Sequence, residues 1–383
     1  MVFLPPMTIL DRYLLRHFMQ IFVICFLSLA GLYVVIDAFQ HLDSFTSYAE
    51  EHGSLISVMG EFYAYQSFDL FERTSGVLVM IAAMFTITWL QRHHEMTAMM
   101  AAGISKLRIV KPIILAAITL SILAALNREF VIPSVRNELT RNTKDLGGSE
   151  SRDLEARYDG QTDILIGGER TVAIDKRIVK PTFILPNTLS KYGKQLVAES
   201  AYHLDATADH SAGYLLTNVT IPSNIDKLKS LNQGERAIIL TSKEAQWLKP
   251  KEAFVVSQVH FELLANGSSW RRLASITELV EELNQPSTEP GADLRVAVHS
   301  RILQPFMDAT MLMLGLPLMF SRRQRNIFLS IGICLLAAIS FSMVTLACQS
   351  LGGLSLLRPT LAAWIPLLVF VPIAVAMSHS FRT

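Results

Sequence analysis

RHHEMTAMMAAGIS, residues 92–105, joins two strongly apolar runs, and the reading of the chain turns on it. Two histidines and a glutamate stand together there, followed by methionines and small residues. A zinc-protease helix needs H-E-x-x-H, because histidines four apart share a helical face and the Glu between them activates water. Here His94 and Glu95 are followed by Ala98 where the second ligand belongs, so the metal reading fails on spacing. Two readings remain: a polar turn at a membrane surface, or a short helix that touches another protein. EMTAMMAAG is a good helix former, and Gly103 is placed to end it as a C-cap. Met96 and Met99 suit adaptable packing, and Glu95 at the N-terminus favours the helix dipole and is able to pair with an arginine on a partner.

Outward from this stretch the composition is that of a membrane protein. Of 383 residues, 51% are hydrophobic and 17% charged, where a soluble chain carries about a quarter charged. The net charge of +1 gives no reason to expect a nucleic-acid partner. Cys25, Cys334 and Cys348 all fall inside apolar runs, so they read as buried thiols rather than a disulfide framework or a zinc site. A phosphate-cradling Walker loop is missing, so this chain is not expected to hydrolyse ATP, and no catalytic or metal-binding residue is assigned.

A hydrocarbon core of about 30 Å takes about 20 apolar helical residues. Six runs meet that need: residues 18–36, 75–90 (extending back towards Phe68), 109–126, 302–320, 327–347 and 360–377. The first is not followed by a small-residue cleavage site and is read as an uncleaved span. Arg12, Arg16, Arg92, Lys106, Arg108, Lys111, Arg322, Arg323 and Arg325 all fall in short segments on one side, while Asp43, Glu50, Glu51 and Glu61 fall on the other. The excess of basic residues marks the cytoplasmic side. Both termini and residues 92–105 are therefore expected inside, and the long middle segment outside. Pro305, Pro317, Pro366 and Pro372 are tolerable kinks within the last spans.

The middle segment, residues 127–298, reads as a separate domain between membrane parts at 1–126 and 299–383. TVAIDKRIV, PTFILP, QLVAESAYHL, GYLLTNVTI, RAIIL and AFVVSQVHFELL alternate like strands, enough of them for a sandwich or an open barrel. SITELVEEL reads as an amphipathic helix capped by Ser275 or Thr277. Strand period puts Leu215, Val219 and Ile221 on one face with Asn218 opposite. It also puts Val255, Val259, Phe261 and Leu263 together, with Gln258 and His260 opposite. Such faces line either an ordinary sandwich core or an interior open to acyl chains.

HEMTAMMAAGISKLRIVKPIILAA resembles the E-L-x-A-x-x-x-A-G-x-S signature of the LptF/LptG permeases of lipopolysaccharide-transport ABC exporters. LDRYLLRHFMQIF, LNREFVIPSV, HSRILQPFMDATMLMLGLPLMF and LGGLSLLRPTLAAWIPLLVF resemble, in order, that family's start, its exit from span three, its re-entry and its last loop and span. The resemblance implies six transmembrane helices with an inserted periplasmic β-jellyroll-like domain, in the inner membrane. It implies a heterodimer with a paralogous permease, a cytoplasmic ABC ATPase dimer that binds the ATP and Mg, and a periplasmic bridge protein. The cargo would be lipopolysaccharide or a related glycolipid. Residues 92–105 would hold the coupling helix, with Glu95, Met96, Met99 and Gly103 at the ATPase contact. The rival is a membrane-anchored periplasmic scaffold that moves no lipid, which co-purification of an ATPase would separate from a permease.

Two features depart from the family's pattern. The outer end of span one, VVIDAFQHLDSF, is acidic where basic residues for lipid phosphates are expected, and an acidic rim repels phosphate. Either the partner supplies the cations, or the headgroup differs. Arg73 and Arg301 are the substitutes, with snorkelling to the interface as their ordinary role. Asp308, about two turns inside span four, is the second. It contacts cargo, pairs with Arg73, or faces water. With Val219, Val259 and Phe261 in the middle domain, these residues form the candidate lipid path.

Overall fold

The computed structural model describes residues 8–140, 152–172, 175–186, 193–207, 210–233, 236–245, 247–284, 291–320 and 327–378. The basic loop with Arg322, Arg323 and Arg325 lies outside them. The chain forms two compact units. One comprises Met1–Leu42, Ile56–Val135 and Gly291–Thr383; the other comprises Asp43–Leu55 and Arg136–Pro290.

The first unit is helical. Its main elements are α1 (Ile9–Gln40), α3 (Leu55–Arg92), α4 (Glu95–Ala101), α5 (Lys106–Leu126), α10 (Ala292–Phe320), α11 (Ile327–Gly353) and α12 (Pro359–Ser378). Between α1 and α3 the chain passes through α2 (Leu42–His52), which apart from Leu42 belongs to the other unit. Among the described residues, six helices are long and apolar enough to cross a membrane: α1, α3, α5 with its continuation, α10, α11 and α12. α1 opens on a capping box, in which Thr8 Oγ1 accepts from the Asp11 amide at 3.4 Å and the Asp11 carboxylate accepts from the Thr8 amide at 3.1 Å.

Two spans differ from their sequence reading. The second begins at Leu55 rather than near Phe68. At 1.5 Å per residue α3 is about 57 Å long, well beyond the hydrocarbon thickness. The third does not end at Leu126 but runs on through a π-helical turn, Asn127–Val131, into α6 (Ile132–Ser134). The short α7 (Arg136–Leu139) follows. All four prolines named above sit inside the helices α10 and α12.

The apolar interior of this unit falls into two main clusters. Phe18 and Phe22 of α1 pack with Ala82 and Ile87 of α3, Ile113 and Leu120 of α5, and Leu312 and Leu316 of α10. Met80 packs with Met307 and Met311 of α10, Phe341 of α11, and Ala363 and Leu367 of α12. Close approach depends on small residues. A Cβ added at Gly352 would collide with Ala362 and Val296, so α11, α12 and α10 meet there only because the position is glycine.

The second unit is an antiparallel sheet of eleven strands with helices attached. Its strands are β1 (Arg152–Asp153), β2 (Arg157–Asp159), β3 (Ile164–Gly167), β4 (Arg170–Val172), β5 (Arg177–Val179), β6 (Thr182–Ile184), β7 (Gln195–Leu204), β8 (Gly213–Ile221), β9 (Leu231–Gln233), β10 (Arg236–Thr241) and β11 (Ala253–Val256). The sheet forks at β7. The start of β7 pairs with β6 through Thr182↔Val197, its later part with β5 through Val179↔Ser200, and β8 lines its other edge. From the fork one arm runs β6–β3–β2 and the other β5–β4–β1, while β8 leads on to β11, β10 and β9. Ile164, Ile178, Phe183, Leu196, Tyr214, Leu216, Ile239 and Val255 close one core between them.

Three strand readings are corrected here. TVAIDKRIV is a hairpin, β4 with β5, paired Arg170↔Val179 and Val172↔Arg177. In GYLLTNVTI the inward phase changes part-way. Tyr214 and Leu216 are buried, Asn218 takes a left-handed φ of 55°, and Val219 is then buried beyond it. Leu215 therefore does not share the buried face of Val219, and beyond it the register against β7 slips between Val197 and Ala198, a bulge that leaves Ile221 exposed. AFVVSQVHFELL leaves the sheet after Val256 and becomes α8 (Phe261–Leu273). Alternate burial nevertheless persists through Val255, Ser257, Val259 and Phe261, because the connecting segment still lies along the core.

α9 (Ile276–Asn284) starts where Ser275 caps it. Ser275 Oγ accepts from the Glu278 amide at 3.2 Å, and the Glu278 carboxylate accepts from the Ser275 amide at 2.8 Å, so Ser275 rather than Thr277 is the cap. Arg136 reaches both helices, 2.9 Å from Glu262 and 3.2 Å from Glu278.

Tyr214, within this core, and His203 beside it are two of the polar groups buried in the unit. The fully buried Tyr214 hydroxyl donates to the Val259 carbonyl at 2.8 Å, and burial pushes its pKa well above the usual value of 10.0. Tyr214→Phe leaves that carbonyl without its donor and is expected to cost about 1–3 kcal/mol, read as a lower unfolding midpoint of the β unit. His203 packs edge-on against the Tyr214 ring at 5.1 Å, with Asp205, Lys176, His260 and Glu262 around it. Burial holds its imidazole below the ordinary pKa of 6.5, against the opposing pull of Asp205. A proton then binds the unfolded chain more readily than the folded one, so stability falls as pH drops below about 6.5 and levels off below the folded pKa. His203→Gln should flatten that part of a plot of unfolding midpoint against pH.

Candidate functional site: a short exposed helix and a buried charge network

α4 is set by the residues that bracket it. His94 leaves α3 in a left-handed conformation, φ 59°. At the other end Gly103, φ 80°, donates its amide to the Met100 carbonyl at 3.0 Å, and the Ile104 amide donates to Met99 at 3.0 Å. This pair of bonds is a Schellman motif, and Ile104 and Met99 supply the apolar contact that goes with it. A side chain at position 103 would be strained, so Gly103 is required by the turn itself.

The Schellman contact sets which way α4 faces. Met96 and Met99 turn towards the helical bundle, beside Leu14, Leu90 and Ile109. The outward surface consists of Thr97, Ala98, Ala101, Ala102 and Gly103, which is small and nearly featureless. Glu95 is half-buried, and its carboxylate accepts a hydrogen bond from the Tyr13 hydroxyl of α1 at 2.8 Å. Next to it Asp11 accepts from Arg108 of α5 at 2.9 Å. Tyr13 and Asp11 escaped sequence reasoning, because 82 positions separate Tyr13 from Glu95 and 97 separate Asp11 from Arg108.

The second feature lies about 30 Å along α3 from α4, by helical rise. Asp69, Glu72, Arg73 and Gly76 form a stripe at i, i+3, i+4 and i+7 on α3. Arg301, Gln304 and Asp308 form a matching stripe on α10. The π-helical turn brings Asn127 and Arg128 to the same place: Asn127 donates to the Phe68 carbonyl at 2.9 Å, and Arg128 forms an ion pair with Glu72. Such bulges re-aim side chains inside a helix. Gln304 donates to Asp308 at 3.0 Å, and a Cβ on Gly76 would lie 2.5 Å from the Asp308 carboxylate.

Asp308 therefore packs against α3 and is not the partner of Arg73. Arg73 pairs instead with Asp69, one turn away, at 2.6 Å. Arg301 is half-exposed two turns before Asp308. Glu72 and Arg128 were missed by sequence reasoning, although two acids and an arginine at helical spacing in an apolar run are themselves a signal. At the far end of α1 the acidic rim is partly answered, since Asp37 accepts from Tyr63 at 2.9 Å and lies 3.3 Å from His41. In the β unit, Val219, Val259 and Phe261 are all buried and belong to one cluster.

Comparison with known families finds one model, described as "Lipopolysaccharide export system permease LptF/LptG", matching residues 12–380. No curated protein matches the chain.

Arg128 and Glu72 are both mostly buried, so removing one strands the other in a low dielectric. Arg128→Ala is expected to cost about 3–5 kcal/mol. Adding Glu72→Gln should restore much of that, measured by thermal unfolding in mild detergent. Independent losses for the two changes would contradict the pairing.

Proposed function

Because this chain belongs to the LptF/LptG family, the permease of the lipopolysaccharide export system, we propose that it extracts lipopolysaccharide or a related glycolipid from the inner membrane as one of two paralogous permease subunits. Family members are transporter components rather than enzymes. The motor in this reading is a cytoplasmic ABC ATPase dimer, which binds the ATP and Mg, while this chain carries no cofactor of its own. The observation that carries the reading is α4: a short helix with a surface of small residues, closed by Gly103, next to a positioned carboxylate. A flat, small-residue surface lets a partner's backbone or aromatic side chains come close. Its setting among Arg12, Arg92, Lys106 and Arg108 supports a cytoplasmic position. In this reading both termini lie inside and the β unit lies in the periplasm, where it would hand lipid to a bridge protein.

The inward turn of Met96 and Met99 narrows the expected ATPase contact. They support α4 from behind, and Glu95 with the exposed alanines makes the contact. For cargo, Arg73 already carries a carboxylate, so cations for lipid phosphate come chiefly from the partner permease in this reading. Val219, Val259 and Phe261 are the positions where acyl chains would enter the β unit if its core opens during transport.

Glu95→Ala tests the reading. Recovery of the ATPase with the purified permease pair should fall at least about tenfold, the scale of losing a charged interfacial contact. Unfolding of the permease itself should change little. Unchanged ATPase recovery together with unchanged export would sink the coupling role of α4.

A further inference from the structure

We propose that the Tyr13–Glu95 hydrogen bond is a mechanical joint, through which displacement of α4 is passed into α1; the proposal rests on α4 being the ATPase-docking helix. Tyr13 is then a positioning residue for transport and touches neither cargo nor ATPase.

The packing of α1 carries this inference. The buried residues of α1 are Leu14, Phe18 and Phe22, all in its first half. Leu14 sits among Leu90, Ile109, Met96 and Met99, so the start of α1 packs on the same small cluster that supports α4. Polar contacts fasten the same segment: Tyr13 to Glu95 at 2.8 Å, and Arg108 to Asp11 at 2.9 Å and to Thr8 at 3.4 Å. Beyond Phe22 the helix stands largely exposed, with Ile24 at 63%, Leu27 at 61% and Leu32 at 59%. An open groove of about 940 Å³, lined by Arg16, Met19, Val23, Cys25, Phe85 and Trp89, lies beside the middle of α1, where the packed segment gives way to the exposed one. At the far end of α1 Tyr63 holds Asp37 by one hydrogen bond at 2.9 Å.

A helix fastened at one end and loosely packed along the rest behaves as a lever. The part of α1 beyond Phe22 is about 27 Å long. A tilt of about 5° at the fastened end would move its far end by roughly 2 Å, within the range of helix shifts that switch packed interfaces. α3 offers no comparable freedom, since it buries residues from Phe62 to Leu90. Among the described contacts between α1 and α4, that of the Tyr13 hydroxyl is directional and polar. Apolar contacts such as Leu14 with Met99 permit sliding, whereas a hydrogen bond to a charged acceptor resists it.

The two functions of Glu95 separate by substitution. Glu95→Gln keeps a carbonyl able to accept from Tyr13 but loses the charge offered to the ATPase. Tyr13→Phe keeps the ring and the charge but loses the bond. Each variant would be assembled with the partner permease and the ATPase in proteoliposomes containing labelled lipopolysaccharide. ATPase recovery and lipid released per ATP hydrolysed are then measured.

The joint predicts that Tyr13→Phe leaves ATPase recovery at the wild-type level while lipid per ATP falls about fivefold. It predicts the reverse for Glu95→Gln: poorer ATPase recovery, with lipid per ATP close to wild type in the complexes that form. An unchanged ratio in Tyr13→Phe overturns the joint and leaves the docking role of α4 standing. A fall in both quantities for Tyr13→Phe would mark Tyr13 as a plain structural support and also overturn it. Failure of the wild-type chain to recover any ATPase would remove the docking reading and the joint together.

Discussion

Inside a bilayer no water is present to satisfy an amide, so each crossing must be a helix that bonds its own backbone. The same lack of water governs side chains. A charge carried into the hydrocarbon must find a partner within the protein or a route to the surface. Six apolar helices answer the first demand, and the network on α3, α5 and α10 answers the second. Arg128 meets Glu72, Asn127 meets a carbonyl of α3, and Asp308 meets Gln304 over a glycine. The π-helical turn of α5 is where these demands converge, since it brings both Asn127 and Arg128 to α3. Paired in this way, the charges specify which helices meet and where, rather than adding much stability.

Packing is uneven among the helices. α3 and α5 bury residues along their length and form the fixed part of the bundle. α1 is buried only through its first half. Its remaining apolar surface is largely exposed. α4 joins the two regimes. It follows directly from the rigid α3 and leads into α5, yet its hydrogen-bonded contact runs to the loosely packed α1.

The β unit solves a different problem, that of folding a long insertion around its own core. β7 pairs with three strands, so two arms of the sheet diverge from it and share one set of buried residues. The left-handed conformation of Asn218 turns β8 so that Val219 stays inside after Leu216. Tyr214 and His203 place polar atoms in that core at the cost of desolvation. The Tyr214 hydroxyl is satisfied by Val259, and burial lowers the pKa of the His203 ring.

Apolar length, basic asymmetry and alternation are local properties, so the six spans, the inserted β domain and the family were legible in the residues themselves. QLVAESAYHL and GYLLTNVTI match β7 and β8 residue for residue, because turn residues bound them on both sides. Glu95 and Gly103 stood out for the same reason, each being a helix-end residue in a short polar segment. The rest depended on contacts between distant positions. Periodicity could not tell that Phe261 begins a helix, since a segment lying along a core shows alternate burial whether or not it is in the sheet. It could not detect the phase change at Asn218, because one left-handed residue reverses every later side chain without altering composition. Nor could it turn Met96 and Met99 inward, or join Tyr13 to Glu95 and Arg128 to Glu72. A side chain's partner is set by how helices dock, and docking is decided by the packing of all their faces together, which only the tertiary structure records.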